Sequence, residues 1–235
     1  MPQAGDNRNV AKANGLGAGT RRLQASIGAA AIGLMASPAL SHPHVFVDGG
    51  VDFLLRGGPA LEALEVNWLY DEFETLYILS SYGLSLNADG DLDEQDRQEL
   101  VRARSKWPED FDGSAHLSVD GQAVSLEWPT SLDVRLIDGR LEVTFERRLH
   151  AAIPVQGKKV EVAFYESTYF FDFTVTRVPE ILGGNTGCAT EVIPFNPNNQ
   201  LAELQSVLAQ LSREETPAEE NVGALFADRI ILKCD

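Results

Sequence analysis

Basic residues are scarce in this chain, and their scarcity excludes several classes of partner. Lys and Arg total 19 against 35 Asp and Glu residues, which gives a formal net charge of −16. Such a surface repels phosphate backbones and anionic lipids, so we expect no binding to nucleic acid or to a membrane surface. No apolar run reaches the ~20 residues that a transmembrane helix needs, so we also expect no membrane insertion. Cations are the natural partners of such a chain.

Motifs of the common enzyme classes are missing as well. The sequence has no nucleophile elbow, no glycine-rich phosphate loop, no zinc-protease helix and no cysteine nucleophile. We therefore expect a protein that is not an enzyme.

The first 41 residues have the three-part layout of a signal peptide. The basic pair Arg21-Arg22 precedes an apolar run over residues 25–36, and the small residues Ala39 and Ser41 follow. We predict that residues 1–41 are removed on export and that residues 42–235 form one periplasmic α+β domain. Cleavage after Ala39 and export by the twin-arginine route both stay open as alternatives.

Cysteine occurs only at Cys188 and Cys234. In an oxidising compartment a disulfide between them is the expected state. In the chain-entropy model, closing this loop would stabilise the folded protein by roughly 3–4 kcal/mol. A two-cysteine metal site is the rival interpretation, but this segment holds no histidine and no third cysteine.

Residue periodicity and turn dipeptides predict mostly antiparallel sheet with inserted helices. Strands are predicted over 45–55, 61–69, 159–164, 169–178 and 229–233, with hairpins over 115–148 that turn at Asp120-Gly121 and Asp138-Gly139. Helices are predicted over 71–82, 94–104 and 200–212, the first two within an acidic insert of about 71–105. The Gly/Asn/Pro-rich segment 183–199 is predicted to be a loop, and the acidic segment 213–220 to be disordered.

Two histidines stand where the mature chain would begin. Cleavage after Ser41 would give His42 a free amine, which with its imidazole could chelate one metal ion, and His44 would project on the same face of an extended strand. Pro43 has no amide hydrogen to lose, which excludes the square-planar copper or nickel site of free N-termini. Further ligands must come from the folded body, and the candidates are Asp48, Glu72, Glu166, Asp172, His116 and His150. The alternative is that both histidines form a solvated leader to the first strand.

An acidic loop resembles a calcium-binding loop. With Gly90 at the sixth of twelve positions, oxygen ligands would come from Ser85, Asn87, Asp89, Asp91, Asp93 and Asp96. A solvated turn that ends in a helix N-cap is the alternative interpretation.

Several short motifs in their order along the chain resemble one known family, the domain-of-unknown-function 1007 family. These motifs are the start at His42 to Asp48, Trp68-x-x-Asp71-Glu72-Phe73, the Asp-Gly acidic loop, Tyr165-x-x-x-Tyr169-Phe170, and Gly223 to Ala227 before Cys234. The resemblance implies a periplasmic component of an uncharacterised ABC-type transport system, associated with nickel, cobalt or zinc membrane transporters. It also implies metal handling, with His42 and His44 as the matching positions.

We carry three hypotheses forward. The first is a transition-metal-binding accessory, for zinc ahead of nickel, cobalt or copper, which buffers the ion or delivers it to a membrane transporter or periplasmic metal receptor. The second is a calcium-stabilised interaction module without a transition-metal role. The third is a copper oxidase built on an N-terminal histidine chelate.

Overall fold

The computed structural model describes residues 43–107, 111, 113–184, 187–212 and 215–235. In chain order the strands are β1 (Val45–Leu55), β2 (Ala60–Tyr70), β3 (Ala115–Val119), β4 (Gln122–Val124), β5 (Thr130–Ile137), β6 (Arg140–Pro154), β7 (Lys159–Phe164), β8 (Phe171–Val175), β9 (Ile181–Leu182), β10 (Cys188–Ile193) and β11 (Asp228–Cys234). The helices are α1 (Glu72–Ser81), α2 (Glu94–Arg104) and α3 (Asn199–Leu208), with a 3-10 turn at Val222–Leu225. The predicted signal peptide and His42 lie outside the described residues.

Two sheets form the fold, and both are mostly antiparallel. The first has the order β5-β6-β2-β1-β8, with the short β9 also beside β1, and the second has the order β10-β11-β7-β3-β4. β8 and β9 run parallel to β1, while the other strand pairs are antiparallel. The predicted α+β class is therefore confirmed.

The two sheets share one apolar core. Phe53 of β1 and Phe145 of β6 belong to the same buried cluster as Phe164 of β7 and Ile230 of β11. Each of these side chains is at most 1% exposed, and burial of each contributes roughly 1.5–3 kcal/mol. In β3 and β7 every second residue is buried, as the period of two requires.

The helices begin at side-chain caps that the sequence provides. The Asp71 carboxylate accepts a hydrogen bond from the Glu74 amide, and the Asp93 carboxylate accepts one from the Asp96 amide. Each cap satisfies an amide that has no partner inside the helix and places negative charge at the positive end of the helix dipole. The predicted helices 71–82 and 94–104 are both confirmed.

A disulfide closes the C-terminal part of the second sheet. Cys188 and Cys234 are partners in the β10–β11 register, with Cα atoms 3.9 Å apart, and their sulfurs are bonded. The predicted pairing is thus confirmed, and the rival two-cysteine metal site is not formed.

Three predicted elements have different bounds. Segment 183–199 is not a loop throughout, because β10 lies inside it and pairs with β11 along its whole length. The strand predicted over 169–178 is limited to β8, since Tyr169 adopts a left-handed backbone with φ of 59° that no strand accepts. The helix predicted over 200–212 is α3, which ends at Leu208. The prediction of disorder over 213–220 stays a prediction.

Candidate functional site

His44 is fixed to the body of the protein at the start of β1. Its backbone N–H donates to the Phe170 carbonyl over 2.9 Å, and its ring packs against the Phe170 ring with centroids 4.8 Å apart. The imidazole is half-buried. These contacts do not fit the alternative of a solvated leader at His44, while His42, the other histidine of the proposed chelate, lies outside the described residues.

Asp172 lies on the same face of the first sheet as His44. In the parallel register of β1 and β8, Phe46 is the partner of Asp172, and His44 lies two residues before Phe46. Side chains two residues apart on a strand share a face, so the His44 and Asp172 side chains are diagonal neighbours. Burial raises the pKa of the Asp172 carboxyl, and the nearby Asp228 carboxylate raises it further.

Asp48 follows on the same strand, but another charge already neutralises it. The Arg140 guanidinium donates to an Asp48 carboxylate oxygen over 2.8 Å and also donates to the carbonyls of Leu69 and Tyr70. This arginine of β6 therefore contacts both β1 and β2, and the Asp48 carboxylate neutralises its charge. Asp48 serves the packing of the sheet in this structure.

Glu166 supports the turn between β7 and β8. Its two carboxylate oxygens accept hydrogen bonds from the Thr168 amide and hydroxyl and from the Phe170 amide, over 2.8–2.9 Å. Gly223 packs against the same turn so closely that a Cβ atom there would lie 1.8 Å from the Glu166 carbonyl oxygen. The turn that holds Phe170 beside His44 therefore depends on Glu166 and Gly223.

The remaining predicted metal ligands lie on other elements. Glu72 is exposed in the first turn of α1. The His116 ring of β3 stacks on Tyr165 with centroids 3.8 Å apart, and His150 of β6 lies 3.3 Å from the Glu127 carboxylate. Among residues 43–235 as far as the structure describes them, no three His, Cys, Asp or Glu side chains are grouped to hold a metal ion.

The acidic loop has part of the geometry of a calcium loop. Gly90 has a left-handed backbone with φ of 81°, Leu92 is 9% exposed, and α2 starts directly after Asp93. Within the loop, the Asn87 side chain accepts hydrogen bonds from the amides of Asp89 and Asp91. Among the other proposed ligands, Ser85 is exposed and Asp96 is half-buried. The Asn87 hydrogen bonds hold the loop together.

The structure also contains a cavity of about 490 Å³ that the sequence did not reveal. Aromatic side chains from β2, from the segment that follows α2, and from β8 and the turn before it line this cavity, together with Arg104, Lys106 and Glu166. Of these residues only Glu166 was a candidate from the sequence. The aromatic cluster at 164–173 was the available signal, but core packing explained it equally well.

No helix in the described part of the chain is long and apolar enough to cross a membrane. Residues 27–234 match the model of the family described as Protein of unknown function (DUF1007). No curated protein matches the chain.

Proposed function

The chain belongs to the DUF1007 family, and from its histidine-bearing edge we propose that it is a periplasmic accessory that binds one divalent transition metal ion, zinc ahead of nickel, cobalt or copper. In this proposal His42 and His44 hold the ion, and the protein buffers it or delivers it to a membrane transporter or periplasmic metal receptor. The ion is cargo rather than a resident cofactor. The proposal assigns no reaction to the protein.

The anchoring of His44 carries this proposal. A histidine that is held by a backbone hydrogen bond and by ring packing against Phe170 loses little freedom when it binds an ion. A fixed imidazole thereby reduces the entropic cost of forming the site. A His44 without these contacts would instead have supported the alternative that the two histidines form a solvated leader without function.

Local charge supports the same assignment. Asp172 shares the sheet face of His44, and no described basic side chain pairs with its carboxylate. A bound cation would compensate this partly buried charge. The net charge of −16 attracts cations to the surface as a whole.

The donor set selects the class of metal. The proposed ligands are the amine and imidazole of His42, the imidazole of His44 and one carboxylate. Three nitrogens and one oxygen suit tetrahedral zinc, and nickel, cobalt and copper also accept imidazole, whereas calcium and magnesium prefer oxygen ligands. Asp172 fits the carboxylate position better than Asp48 or Glu166, because the carboxylates of those two already serve Arg140 and the turn at Thr168.

Zinc titration of the mature protein by calorimetry tests the proposal. We expect one zinc per chain in the wild type and loss of that binding in the double variant His42→Ala/His44→Ala. The chain has four histidines, so His116→Ala/His150→Ala removes the other two and is a matched control that should still bind zinc. Stoichiometric binding that survives the first double variant contradicts the assigned site.

The free amine of His42 needs a separate measurement. The mass of the N-terminal peptide of protein purified from the periplasm shows whether the chain starts at His42. If it starts at Leu40, the amine chelate is lost, and the two imidazoles must bind with carboxylates alone.

Delivery of an ion requires a contact surface, and α1 offers one. Phe73, Leu76 and Tyr77 are 84%, 64% and 58% exposed and recur at the spacing of one helix face. Contiguous exposed apolar residues of this kind mark protein contact sites. We expect the variant Phe73→Ser/Leu76→Ser to bind zinc normally in solution but to change the metal content of cells as much as deletion of the protein does.

The acidic loop supports a second candidate function, a calcium-stabilised module. The left-handed Gly90, the buried Leu92 and the helix start after Asp93 match the sixth, eighth and tenth positions of a calcium loop. Calcium would then stabilise the fold without any role for the two N-terminal histidines.

A further inference from the structure

No described histidine lines the cavity of about 490 Å³, although Phe170 in its lining packs against the His44 ring. Its described walls come from β2, from the C-terminal end of α2, from Lys106, Trp107 and Phe111, and from the strand β8 with the turn before it. Its volume falls in the range of 300–1,000 Å³ that is typical of pockets for small organic molecules. The size alone therefore permits a ligand.

The walls of the cavity are aromatic. Trp107 stacks on Phe111 with ring centroids 4.1 Å apart, and Phe171 stacks on Phe173 at 5.8 Å. Trp68 packs near both pairs and is 5% exposed. Flat apolar groups fit between such rings by offset or edge-to-face contact.

One hydrogen bond donor in this wall has no acceptor. The indole N–H of Trp68 is buried and has no hydrogen bond partner in the part of the chain that the structure describes. Buried tryptophan usually donates to a neighbouring acceptor, and an unsatisfied donor costs about 1–3 kcal/mol. This wall therefore favours a ligand that brings an acceptor.

Positive charge borders the aromatic walls. The Arg104 guanidinium donates to the Tyr70 hydroxyl over 2.7 Å and lies above the Tyr70 ring at 5.6 Å. Burial disfavours the Arg104 charge, but the side chains of Tyr70, Tyr82 and Glu74 raise the pKa of this arginine, so the guanidinium stays protonated at the cavity. In a chain with 35 acidic residues, a cavity whose described lining holds two basic residues and one acidic residue, Glu166, is an exception.

Glu166, the acidic residue in the described lining, does not offset the positive charge of Arg104 and Lys106. Both carboxylate oxygens of Glu166 are engaged by donors of its own turn, from Ser167 to Phe170. A carboxylate that already accepts these hydrogen bonds has little capacity to bind a cationic ligand group. Among the described lining residues, the charges left for a ligand are those of Arg104 and Lys106.

We propose that this cavity binds a small organic anion with a flat apolar body, such as an aromatic carboxylate. The carboxylate would lie against Arg104 and Lys106, since guanidinium groups pair with carboxylates through two parallel hydrogen bonds. The body would lie between the aromatic walls. The proposed contacts of this ligand are with Arg104, Lys106 and the aromatic walls and include no histidine.

The charge requirement can be tested on the wild-type protein with three probes of one shape. 2-Naphthoate, 2-naphthamide and 2-naphthylmethylammonium differ mainly in charge, and binding can be followed by the fluorescence of Trp68 and Trp107. We expect the carboxylate to bind at least about tenfold more tightly than the amide, and the ammonium more weakly still. Equal binding of carboxylate and amide, preference for the ammonium, or no binding of any probe at about 1 mM overturns the proposal.

Variants locate the binding site. Arg104→Gln should weaken binding of 2-naphthoate at least about tenfold, whereas Arg102→Gln, an exposed arginine on the same helix that does not line the cavity, should leave it unchanged. Trp128→Phe removes the one tryptophan outside the cavity lining and should preserve the fluorescence change. All titrations contain a chelator, so loss of naphthoate binding contradicts this proposal and leaves the zinc proposal unaffected. If Arg104→Gln does not fold, the comparison of probes on the wild type still decides.

Discussion

Asp48 and Arg140 form an ion pair with 2.8 Å between carboxylate oxygen and guanidinium nitrogen. The pair is partly exposed, and the two residues are 92 positions apart in the chain. Because the guanidinium also reaches two carbonyls of β2, the pair supports the sheet. Asp48 is thus already paired in the metal-free protein.

Asp48→Asn should therefore leave zinc binding intact. We expect unchanged stoichiometry and affinity in calorimetry and a decrease in the free energy of unfolding of no more than about 1 kcal/mol, since a partly exposed ion pair contributes little. The stability change is measured by urea denaturation. Loss of zinc binding in a folded variant would place Asp48 among the ligands after all.

Glu166 gives the contrasting case of a carboxylate that the fold needs. Glu166→Ala removes the acceptor of the Thr168 and Phe170 amides, and we expect the free energy of unfolding to fall by about 2 kcal/mol or more in the absence of metal. Glu72→Ala is the matched control, because Glu72 is exposed at the start of α1 and should cost no more than about 1 kcal/mol. Equal losses in the two variants, measured by urea denaturation with a chelator present, would contradict the role of Glu166 in the turn.

Local signals in the sequence were sufficient for much of the fold. Asp120-Gly121 and Asp138-Gly139 both have positive φ at each residue, which is the backbone that two-residue hairpin turns require, so the dipeptides predict the turns directly. Asp71 and Asp93 likewise mark the helix starts by their capping chemistry. In these places a few adjacent residues determine the structure.

Long-range pairing explains what the sequence did not reveal. β10 is a strand because β11 pairs with it from Cys188 to Ile193, and its flanking glycine, asparagine and proline residues obscured it. The cavity joins Arg104 and Trp107 to Phe170 and Phe171, and no spacing rule brings these two segments together. The ion pair between Asp48 and Arg140 of β6 could not be predicted for the same reason.

Calcium is expected to stabilise the protein if the acidic loop binds it. Millimolar calcium should raise the melting temperature, because a ligand that binds only the folded state shifts the equilibrium toward it. Asp89→Ala should abolish this increase, and since the Asp89 side chain is exposed the variant should fold normally without calcium. Thermal unfolding with and without calcium measures both effects. An equal increase in wild type and variant would exclude the loop as the site.

The disulfide should account for a measurable share of the stability. Cys188→Ser/Cys234→Ser should lower the free energy of unfolding by about 3–4 kcal/mol in urea denaturation, because the bond restricts a long loop of the unfolded chain. Reducing agent should destabilise the wild type by a similar amount and leave the double variant unchanged. A difference below about 1 kcal/mol between the two proteins would mean that β10–β11 pairing alone holds this segment.

Asp172 should make the stability of the metal-free protein depend on pH. Burial and the neighbouring Asp228 raise the pKa of its carboxyl in the folded state, so the folded protein holds this proton more tightly than the unfolded chain does. At a pH below the pKa that the carboxyl has in the unfolded chain, it is neutral in both states and does not lower the free energy of unfolding. As the pH rises past that value, the unfolded chain ionises first, and the folded state loses stability until the pH exceeds the folded pKa. Asp172→Asn removes this penalty.

We therefore expect Asp172→Asn, measured by thermal unfolding with a chelator present, to have a melting temperature at pH 7 about 2 °C or more above that of the wild type. The difference should shrink as the pH is lowered toward 3, where both proteins carry a neutral side chain at this position. A difference that does not change with pH would mean that the amide acts through packing rather than through charge. If Asp172 is the carboxylate ligand, zinc at pH 7 should raise the melting temperature of the wild type above that of Asp172→Asn, because only the wild type then gains the stabilisation of the bound ion.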